Sequence, residues 1–566
     1  RLGVPRTCRT SAVLCLKTPP QRRSRFFFFL ATKVSEEMSD FVWAALIVVV
    51  LTSLYLWRRK RFSLFKEIGI PGPTPSLFSG NLTELIEKGA AQSFEDWIKK
   101  YGDVVGFYNG AKPMLIIQDL DLIKKIQIKD FGNFHGRGVV SPISKEHHLG
   151  KLSLINVDGE RWKDMRSLLT PAFTSSNMKK LSHLMDVCSN EFLEVLDSLH
   201  DQDKAFEIRA VFQKLTMDVI VRSAFGVQSN VQKNSEMTGM NAMIKEIMES
   251  LQQFRTGWLT FLVACLPEFS LLWKLAFLLR ERFMKAPSDN IRYGIMPIID
   301  MRRSNPEARR EDLLQLLLNA EAEEGAAVNV HQLTVGYEGE TSQSESKSSG
   351  RKRRTLNNAE IQANAIVFLI AGFETTSTAL TFTTYLLAKF QDVQDRLRSQ
   401  ITAVLERDGK FTYDNVFGMR YLDQVISESL RFYPPVTGFI TRTCQHDYEH
   451  DGLKIPAGMN VVIPPYQLQH DPDLWTEPEK FDPERFSIEN KGSIHPMAFQ
   501  PFGNGPRNCV GMRFAQLEMK LTLAKMLAKY KFLLDKRHVE EDHLKLGSSF
   551  VFCYPLEGAW LKVKKL

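Results

Sequence analysis

The amino-acid sequence predicts a mainly α-helical protein with small β-sheets and a single membrane anchor near its N-terminus. Apolar residues recur every three or four positions between about residue 82 and residue 320, as in Ala205–Gly226, which is the spacing of amphipathic helices. Short β-like pieces such as Leu453–Pro464 come later in the chain. The chain has 566 residues, 44% hydrophobic and 24% charged, so it is long enough for a large globular core.

The stretch Phe41–Trp57 carries no charged side chain over 17 residues, which is at the short end of what spans a bilayer. Trp43 and Trp57 lie near its ends and the basic block Arg58–Arg61 follows, a pattern typical of interfacial anchors and a cytoplasmic stop. A cleaved signal peptide is the alternative, but no small-residue cleavage site follows the run. Residues 38–61 are therefore predicted to anchor the protein, with its body on the cytoplasmic side.

Residues 1–37 differ in composition from the rest of the chain. They carry eight basic and two acidic side chains and so hold six of the eight net positive charges. Because the remainder is close to neutral, nucleic-acid binding is not expected. We interpret this leader as upstream sequence that is absent from the mature protein. The alternative is a mitochondrial transit peptide, since such peptides are rich in Arg and poor in acidic residues.

Proline and low-complexity segments mark the organisation of the body. Gly69–Asn81 contains three prolines, which disfavour helix and stiffen the backbone, so residues 62–81 are predicted to be a hinge. Residues 321–355 are polar and end in a basic run, which predicts a solvated loop between two long helices; a nuclear signal is the alternative.

The helices predicted on either side of this loop are also delimited by proline. The apolar stretch Trp258–Leu279 is divided by Pro267, which favours a buried or membrane-apposed helix pair over a second transmembrane helix. Long helices are predicted from about residue 357 to 390 and from residue 421 to 432, where two prolines end the second one.

The stretch Pro501–Gly511, PFGNGPRNCVG, raises the question of what Cys509 does. The seven cysteines of the chain are scattered without a CxxC pair, which argues against a disulfide framework or a structural zinc site. Cys509 stands just before a predicted helix, where free N–H groups and the helix dipole favour a thiolate. The glycines permit tight turns, and Arg507 can meet an anionic group. A dinucleotide loop is excluded because the GxGxxG pattern fails at Asn508.

This loop resembles the haem-binding signature of the cytochrome P-450 family, F-x-x-G-x-R-x-C-x-G, with the usual glycine after the phenylalanine. The matching residues are Phe502, Gly503, Gly505, Arg507, Cys509 and Gly511. The resemblance implies that Cys509 is the axial thiolate ligand of the iron in haem (iron protoporphyrin IX). It also implies that residues 82–566 form a haem-binding catalytic domain with the cytochrome P-450 fold. An inert buried cysteine is the alternative.

An upstream motif, AGFETT at residues 371–376, resembles the oxygen-activation segment of the same family. Proton delivery beside haem needs a hydroxyl and a carboxylate, which Thr375 and Glu374 would supply. Gly372 is expected to leave room where the helix passes over the haem. The alternative for Thr375 is an ordinary helix threonine that bonds to a backbone carbonyl.

Other residues receive binding or structural roles through the resemblance. Glu428 and Arg431 match the family's E-x-x-R motif, which implies a buried structural brace with Arg485; an exposed surface bridge is the alternative. Four arginines and one tryptophan are expected around the two haem propionates: Arg507, Trp162, Arg166, Arg442 and, on the weakest resemblance, Arg137. Four apolar side chains are expected in the substrate pocket wall, although core packing would explain them equally: Phe368, Ile370, Val436 and Phe439.

The resemblance covers essentially residues 38–566 and is closest to the animal microsomal branch that includes xenobiotic-metabolising enzymes. It implies that one oxygen atom of O2 is inserted into a hydrophobic small molecule. Electrons would come from NADPH through a separate reductase, because the chain has no flavin or nicotinamide motif. Cytochrome b5 and membrane lipid are further expected partners. The expected location is the cytoplasmic face of the endoplasmic reticulum membrane, or the mitochondrion if the leader is retained.

Two alternative functions share the haem-thiolate centre. One is an isomerase or dehydratase that needs neither O2 nor a reductase, and the other is a haem-based sensor. The acid and hydroxyl of Glu374 and Thr375 disfavour both, because neither function needs proton delivery.

Overall fold

The computed structural model describes residues 42–43, 45–138, 150–233, 258–283, 287–310, 312–322, 355–548 and 551–566. The chain divides into two compact units, Arg1–Leu64 and Phe65–Leu566. The leader, residues 1–37, and most of the predicted polar loop, residues 321–355, lie outside the described residues.

In the first unit, residues 45–61 are helical. The large apolar side chains between Leu46 and Trp57 are exposed. The guanidinium carbon of Arg61 lies 5.6 Å from the centroid of the Trp57 ring. Residues 38–41 and 44 of the predicted anchor lie outside the described residues. An apolar helical surface followed by basic residues is therefore present in this part of the chain.

The second unit is built mainly from helices. Those of the N-terminal part, beginning at the unit boundary, are α1 (Leu64–Glu67), α2 (Leu82–Lys88), α3 (Ala90–Tyr101), α4 (Leu120–Lys124), α5 (Gly159–Leu169), α6 (Ser175–Asp201), α7 (Ile208–Phe225), α8 (Trp258–Cys265), α9 (Ser270–Phe283), α10 (Pro287–Ser304) and α11 (Leu313–Ala322). Those of the C-terminal part are α12 (Asn358–Lys389), α13 (Gln391–Asp408), α14 (Tyr413–Gly418), α15 (Arg420–Phe432), α16 (Pro465–His470), α17 (Ile488–Lys491) and α18 (Met512–Lys529).

The strands are short and form four small sheets within the described residues. In chain order they are β1 (Val104–Asn109), β2 (Lys112–Ile117), β3 (Phe206–Glu207), β4 (Thr441–Thr443), β5 (Tyr448–His450), β6 (Leu453–Ile455), β7 (Asn460–Val462), β8 (Tyr530–Leu534), β9 (Leu546–Ser548), β10 (Cys553–Pro555) and β11 (Trp560–Lys565). The sheet orders are β1-β2-β7-β4, β3-β11-β8, β10-β9 and β5-β6. Among the strand pairs of the described residues, the β2–β7 pair alone is parallel, and it joins segments far apart in sequence.

The central element of the second unit is α12. A capping box starts it: the Asn357 side chain accepts from the Glu360 N–H, and the Glu360 side chain accepts from the Asn357 N–H. The helix packs against α7, α13, α15, α18 and β8. Among the described residues it is the one helix long and apolar enough to span a membrane, but 67% of its apolar window is buried inside the protein. It is therefore the core helix of the fold.

The proline-rich stretch after the first unit packs onto the sheet. The carbonyl of Pro71 accepts a hydrogen bond of 2.8 Å from the Gly106 N–H on β1. A Cβ on Gly72 would lie 1.9 Å from the Gly106 oxygen, so only glycine allows this approach. Most of the predicted hinge, residues 62–81, thus belongs to the second compact unit, which begins at Phe65.

The helices and strands predicted from periodicity and proline are confirmed. The helix predicted over residues 357–390 is α12, and the one over residues 421–432 is α15. The stretch Trp258–Leu279 forms α8 and α9, which are separated by a 3₁₀ turn at Pro267–Phe269. The β-like piece Leu453–Pro464 contains β6 and β7.

Glu428 and Arg431 on α15 come together with Arg485 in the interior. The side chains of Glu428 and Arg431 are 0% exposed and their two N–O contacts measure 2.7 and 2.9 Å. Arg485 Nε lies 3.4 Å from a Glu428 oxygen, and the Asp482 N–H donates to the same oxygen. Arg431 also donates to the carbonyls of Gln469 and, further on, Pro478. This network ties α15 to the segment that precedes the Cys509 loop.

We predict that Glu428→Ala lowers the free energy of unfolding by about 3–5 kcal/mol, because Arg431 would remain buried without its carboxylate. Chemical denaturation of the purified protein measures this loss.

The control for this prediction is Glu84→Ala, which removes an exposed i,i+4 pair with Lys88 and should cost less than about 1 kcal/mol. Equal losses in the two variants would contradict a structural role for the buried network.

Candidate active site

The loop Pro501–Gly511 is closed by a hydrogen bond of 2.8 Å from the Cys509 N–H to the Phe502 carbonyl. Gly503 and Gly505 have φ values of +68° and +69°, which favour glycine. A Cβ on Gly505 would lie 2.1 Å from the Gln127 carbonyl oxygen, so this glycine is also needed for packing against the chain. Gly511 has an ordinary φ of −88° and caps the N-terminus of α18.

Cys509 is the one exposed cysteine among the five in the described part of the chain. Its thiol nevertheless lies in a hollow deep enough for desolvation to raise its pKa. A hydrogen bond from the Gly511 N–H and the charges of Arg166 and Arg137 oppose this rise in the pKa of Cys509. The thiol is therefore accessible to a small molecule yet surrounded by protein, in contrast to the buried Cys553.

Four buried arginines surround the loop: Arg137, Arg166, Arg442 and Arg507, which are 1–9% exposed. Burial, together with the charge of Arg137, lowers the pKa of Arg442 to about 9 and that of Arg507 to about 8. Burial likewise lowers the pKa values of Arg137 and Arg166 to about 10. None of the four forms an ion pair with any carboxylate in the described ranges, and each leaves its Nε without a hydrogen-bond partner. The arginines therefore form a cluster of buried positive charge in which no described carboxylate makes an ion pair.

Backbone and aromatic contacts hold these arginines in place. Arg166 on α5 donates to the backbone and side-chain oxygens of Asn508, at 2.9 and 2.7 Å, next to Cys509. Arg507 lies over the Trp162 ring at 4.6 Å and donates to the Val157 carbonyl. These contacts fix α5 against the cysteine loop.

The two remaining arginines approach from other segments. Arg137 donates to the Phe439 carbonyl at 2.7 Å, and its guanidinium carbon lies 4.1 Å from the centroid of that residue's ring. Arg442 on β4 donates to the carbonyls of Thr441 and Asn504. The structure thus brings together all five side chains expected near the propionates.

A phenylalanine links the cysteine loop to α12. The Phe173 ring centroid lies 5.9 Å from that of Phe368 on α12. One edge of the same ring lies 3.8 Å from the position that a Cβ on Gly511 would take. The Phe173 side chain therefore separates the Cys509 loop from the face of α12 that carries Phe368.

The acid and hydroxyl of the AGFETT motif are both engaged. The Thr375 hydroxyl donates to the Ala371 carbonyl at 2.7 Å, as the alternative interpretation of a helix threonine anticipated. Glu374 forms an ion pair with Arg209 and accepts a hydrogen bond of 3.0 Å from Gln213, both on α7. The carboxylate therefore faces α7 in this structure.

The reason expected for Gly372 is wrong. A Cβ at this position would lie 2.8 Å from Cδ1 of Ile220 on α7, so the glycine permits close packing of α12 against α7. The sequence alone did not show which neighbour this face of the helix meets.

The predicted pocket-wall residues lie in different surroundings. Phe368 is buried and Ile370 is half-buried against the core. Val436 forms an isolated β-bridge with Phe552, and Phe439 carries Arg137 on its ring.

The sequence did not indicate several contacts that the motif residues make with residues far away in the chain. Arg209, Gln213, Asn508 and Gln127 each contact a motif residue that was singled out. Arg209 and Gln213 are one helical turn apart, so their common face was visible in the sequence. Their partner Glu374 is more than 150 residues away, and no local pattern indicates the contact.

These features fit haem, which carries two carboxylates on a flat macrocycle and an iron that binds thiolate. The arginine cluster with its unpartnered Nε atoms would receive the carboxylates, and the accessible Cys509 thiol would receive the iron. Arginine suits this purpose because its planar fork pairs with carboxylates and stays charged.

Comparison with known proteins agrees with this fit. The family model described as "Cytochrome P450" matches residues 70–555. The chain is 34% identical to cytochrome P450 3A2 of Rattus norvegicus over 86% of its own length and 90% of that protein. It is 35% identical to cytochrome P450 3A5 of Homo sapiens, with the same coverage. It is 33% identical to lithocholate 6-beta-hydroxylase of Mesocricetus auratus, over 89% of the chain and 93% of that protein.

Because the family model spans residues 70–555 and relatives 33–35% identical cover most of the chain, the chain belongs to the cytochrome P450 family of haem-binding monooxygenases.

Proposed function

We propose that this monooxygenase acts on hydrophobic small molecules, and that it takes electrons from NADPH through a separate reductase, with cytochrome b5 as a further partner. The observation that carries the proposal is the accessible Cys509 thiol beside four buried arginines that form no ion pair with a carboxylate of the described residues. Apolar side chains border the same region, among them Phe368 and Phe439. One similar protein is named as a hydroxylase of lithocholate, which is consistent with a lipophilic substrate.

Cys509 is the proposed axial ligand of the haem iron. Bound haem supplies the activation of O2, and thiolate donation favours cleavage of the O–O bond. The protein holds the ligand in place through the Cys509 N–H bond to Phe502 and the Gly511 N–H bond to the sulfur. Metal coordination deprotonates a thiol outright, so burial does not prevent Cys509 from binding as thiolate.

The buried arginines are the proposed binding site for the haem propionates. Arg442 and Arg507 have lowered pKa values because each is buried among other cations. Two carboxylates would relieve this repulsion and satisfy the unpartnered Nε atoms. Trp162 supports the arrangement by packing under Arg507, and Arg166 by holding Asn508.

Glu374 and Thr375 are the proposed route for protons. Glu374 would take a proton from solvent and pass it to Thr375 Oγ1, which lies on the partly exposed face of α12 beside Ala371. Ile370 and Val436 are proposed, with Phe368 and Phe439, as walls that exclude water and position the substrate.

We propose that the helix over residues 45–61 anchors the enzyme in the endoplasmic reticulum membrane with the body on the cytoplasmic face. Its exposed apolar side chains and the basic residues that follow support this location. The exposed leucines of α9, including Leu271, Leu272 and Leu275, suit a second contact with lipid. A mitochondrial location is the alternative if the leader is retained.

The proposed function is tested by NADPH consumption and oxygenated product when the purified enzyme is mixed with a P450 reductase and a set of apolar compounds. We expect consumption that rises with substrate and a product that carries one atom from labelled O2. The absence of NADPH consumption with every compound would contradict the proposal.

We predict that Cys509→Ala abolishes the thiolate-type band in the carbon-monoxide difference spectrum of the reduced protein. Cys553→Ala is the matched control, because Cys553 is buried in the core and should leave the band intact. A thiolate-type band that persists in Cys509→Ala would show that another group binds the iron.

We also predict that Val49→Lys together with Val50→Lys releases the protein from liposomes, because each charge at a helix centre costs about 3 kcal/mol of insertion free energy. Flotation with vesicles measures the bound fraction, and the carbon-monoxide spectrum should be unchanged. Full retention of the variant on the vesicles would contradict the proposed anchor.

A further inference from the structure

Both carboxylate oxygens of Glu374 are occupied by side chains of α7. Oε1 forms the ion pair with Arg209, and Oε2 accepts from Gln213 Nε2 at 3.0 Å. Glu374 and Arg209 are half-buried, with side chains 16% and 22% exposed, so the pair is partly shielded from water. A carboxylate held in this way must exchange at least one partner before it can hand a proton to another group.

The same two helices hold the backbone around Glu374 in place. The Thr216 hydroxyl on α7 donates to the Phe373 carbonyl at 2.9 Å. Gly372 packs against Ile220, one turn further along α7. Because these contacts fix the backbone just before Glu374 and the residue lies within α12, a change of partner must come from side-chain rotation of Glu374, Arg209 or Gln213.

Arg209 contacts an aromatic ring in the same position in which it pairs with Glu374. Its guanidinium carbon lies 5.5 Å from the centroid of the Tyr554 ring on β10. Its Nε has no hydrogen-bond partner, so one donor remains for a new contact. A cation over an aromatic face is stabilised without a carboxylate. Arg209 can therefore leave Glu374 without becoming an isolated buried charge.

The strand that carries Tyr554 is joined to the predicted pocket wall. Phe552, two residues before Tyr554, forms a β-bridge with Val436. The Cys553 N–H donates to the Pro435 carbonyl at 2.9 Å. A substrate that presses on Val436 would therefore act on the strand against which Arg209 packs.

We propose that Arg209 and Gln213 form a latch that positions Glu374 and controls when its carboxylate can deliver protons to Thr375. In the closed state Arg209 and Gln213 hold both oxygens of Glu374. In the open state Arg209 keeps its contact with Tyr554 alone, and Glu374, protonated from solvent, gives its proton to Thr375 Oγ1 while the Thr375 hydroxyl would release its own proton to the O2 undergoing reduction, which returns Glu374 to the carboxylate and Thr375 to the neutral alcohol. The inference rests on the proposed function, since it assigns positioning residues to the proton route of that site.

The test is a double-mutant cycle with Arg209→Gln and Glu374→Gln in the haem-loaded enzyme with reductase. We expect Arg209→Gln to lower kcat for product at least about tenfold, because Glu374 is then released at all times and protons no longer arrive in step with the reaction. KM for the substrate should not change, and NADPH consumption should continue with its electrons recovered as hydrogen peroxide. The double variant should be no slower than Glu374→Gln alone.

A second readout does not depend on activity. If Arg209 and Glu374 interact as described, the shift of the thermal unfolding midpoint in the double variant should differ from the sum of the shifts in the two single variants. Additive shifts would overturn the latch. The latch would also be overturned if Arg209→Gln lowered kcat equally in the unaltered enzyme and in the Glu374→Gln variant.

Arg161→Gln is the matched control. Arg161 forms a similarly shielded ion pair with Glu360, also on α12 but in its first turn, with side chains 22% and 6% exposed. This variant should lower the unfolding midpoint while the ratio of product to NADPH consumed stays unchanged. An equal loss of that ratio in Arg161→Gln would overturn the latch. Failure of the unaltered enzyme to consume NADPH would instead overturn the proposed function, which separates the two failures.

Discussion

The arrangement of this protein depends on four buried arginines whose charges have no carboxylate partner among the described residues. An ion in a protein interior costs several kcal/mol unless an opposite charge or good hydrogen bonds compensate it. Backbone carbonyls of Phe439, Thr441, Asn504 and Val157 provide part of that compensation. The rest is expected from the two carboxylates of haem, so cofactor binding and stability of the fold are coupled. The charges of Arg166 and Arg137 also oppose the rise that desolvation causes in the pKa of Cys509, which links the anion site to the proposed metal ligand.

The helix that faces this site has a structural and a chemical role at once. α12 is the core helix, and its contact with α7 is close enough to require Gly372. The same contact places Arg209 and Gln213 on Glu374. Residues that stabilise the pair of helices therefore also determine where Glu374 points, and a change that strengthens the packing is expected to weaken the proposed proton delivery.

Much of the fold was predictable because its signals are local. The bounds of α12 follow from the capping box at Asn357 and Glu360, and Pro267 separates α8 from α9. The E-x-x-R spacing of Glu428 and Arg431 indicated an ion pair, since residues three apart share a helix face. Its complete burial, and the arrival of Arg485 and the Asp482 N–H at the same carboxylate, required the folded chain.

By itself, the sequence determined the identity of the family, the cysteine in its glycine-rich loop and the order of the long helices. These depend on residue types at short, regular spacings. Only the tertiary structure decided that Gly505 accommodates the Gln127 carbonyl, that Gly372 accommodates Ile220 and that Glu374 faces Arg209. The physical reason is that these contacts join residues more than 150 positions apart, and their geometry depends on how helices pack rather than on any pattern within one helix.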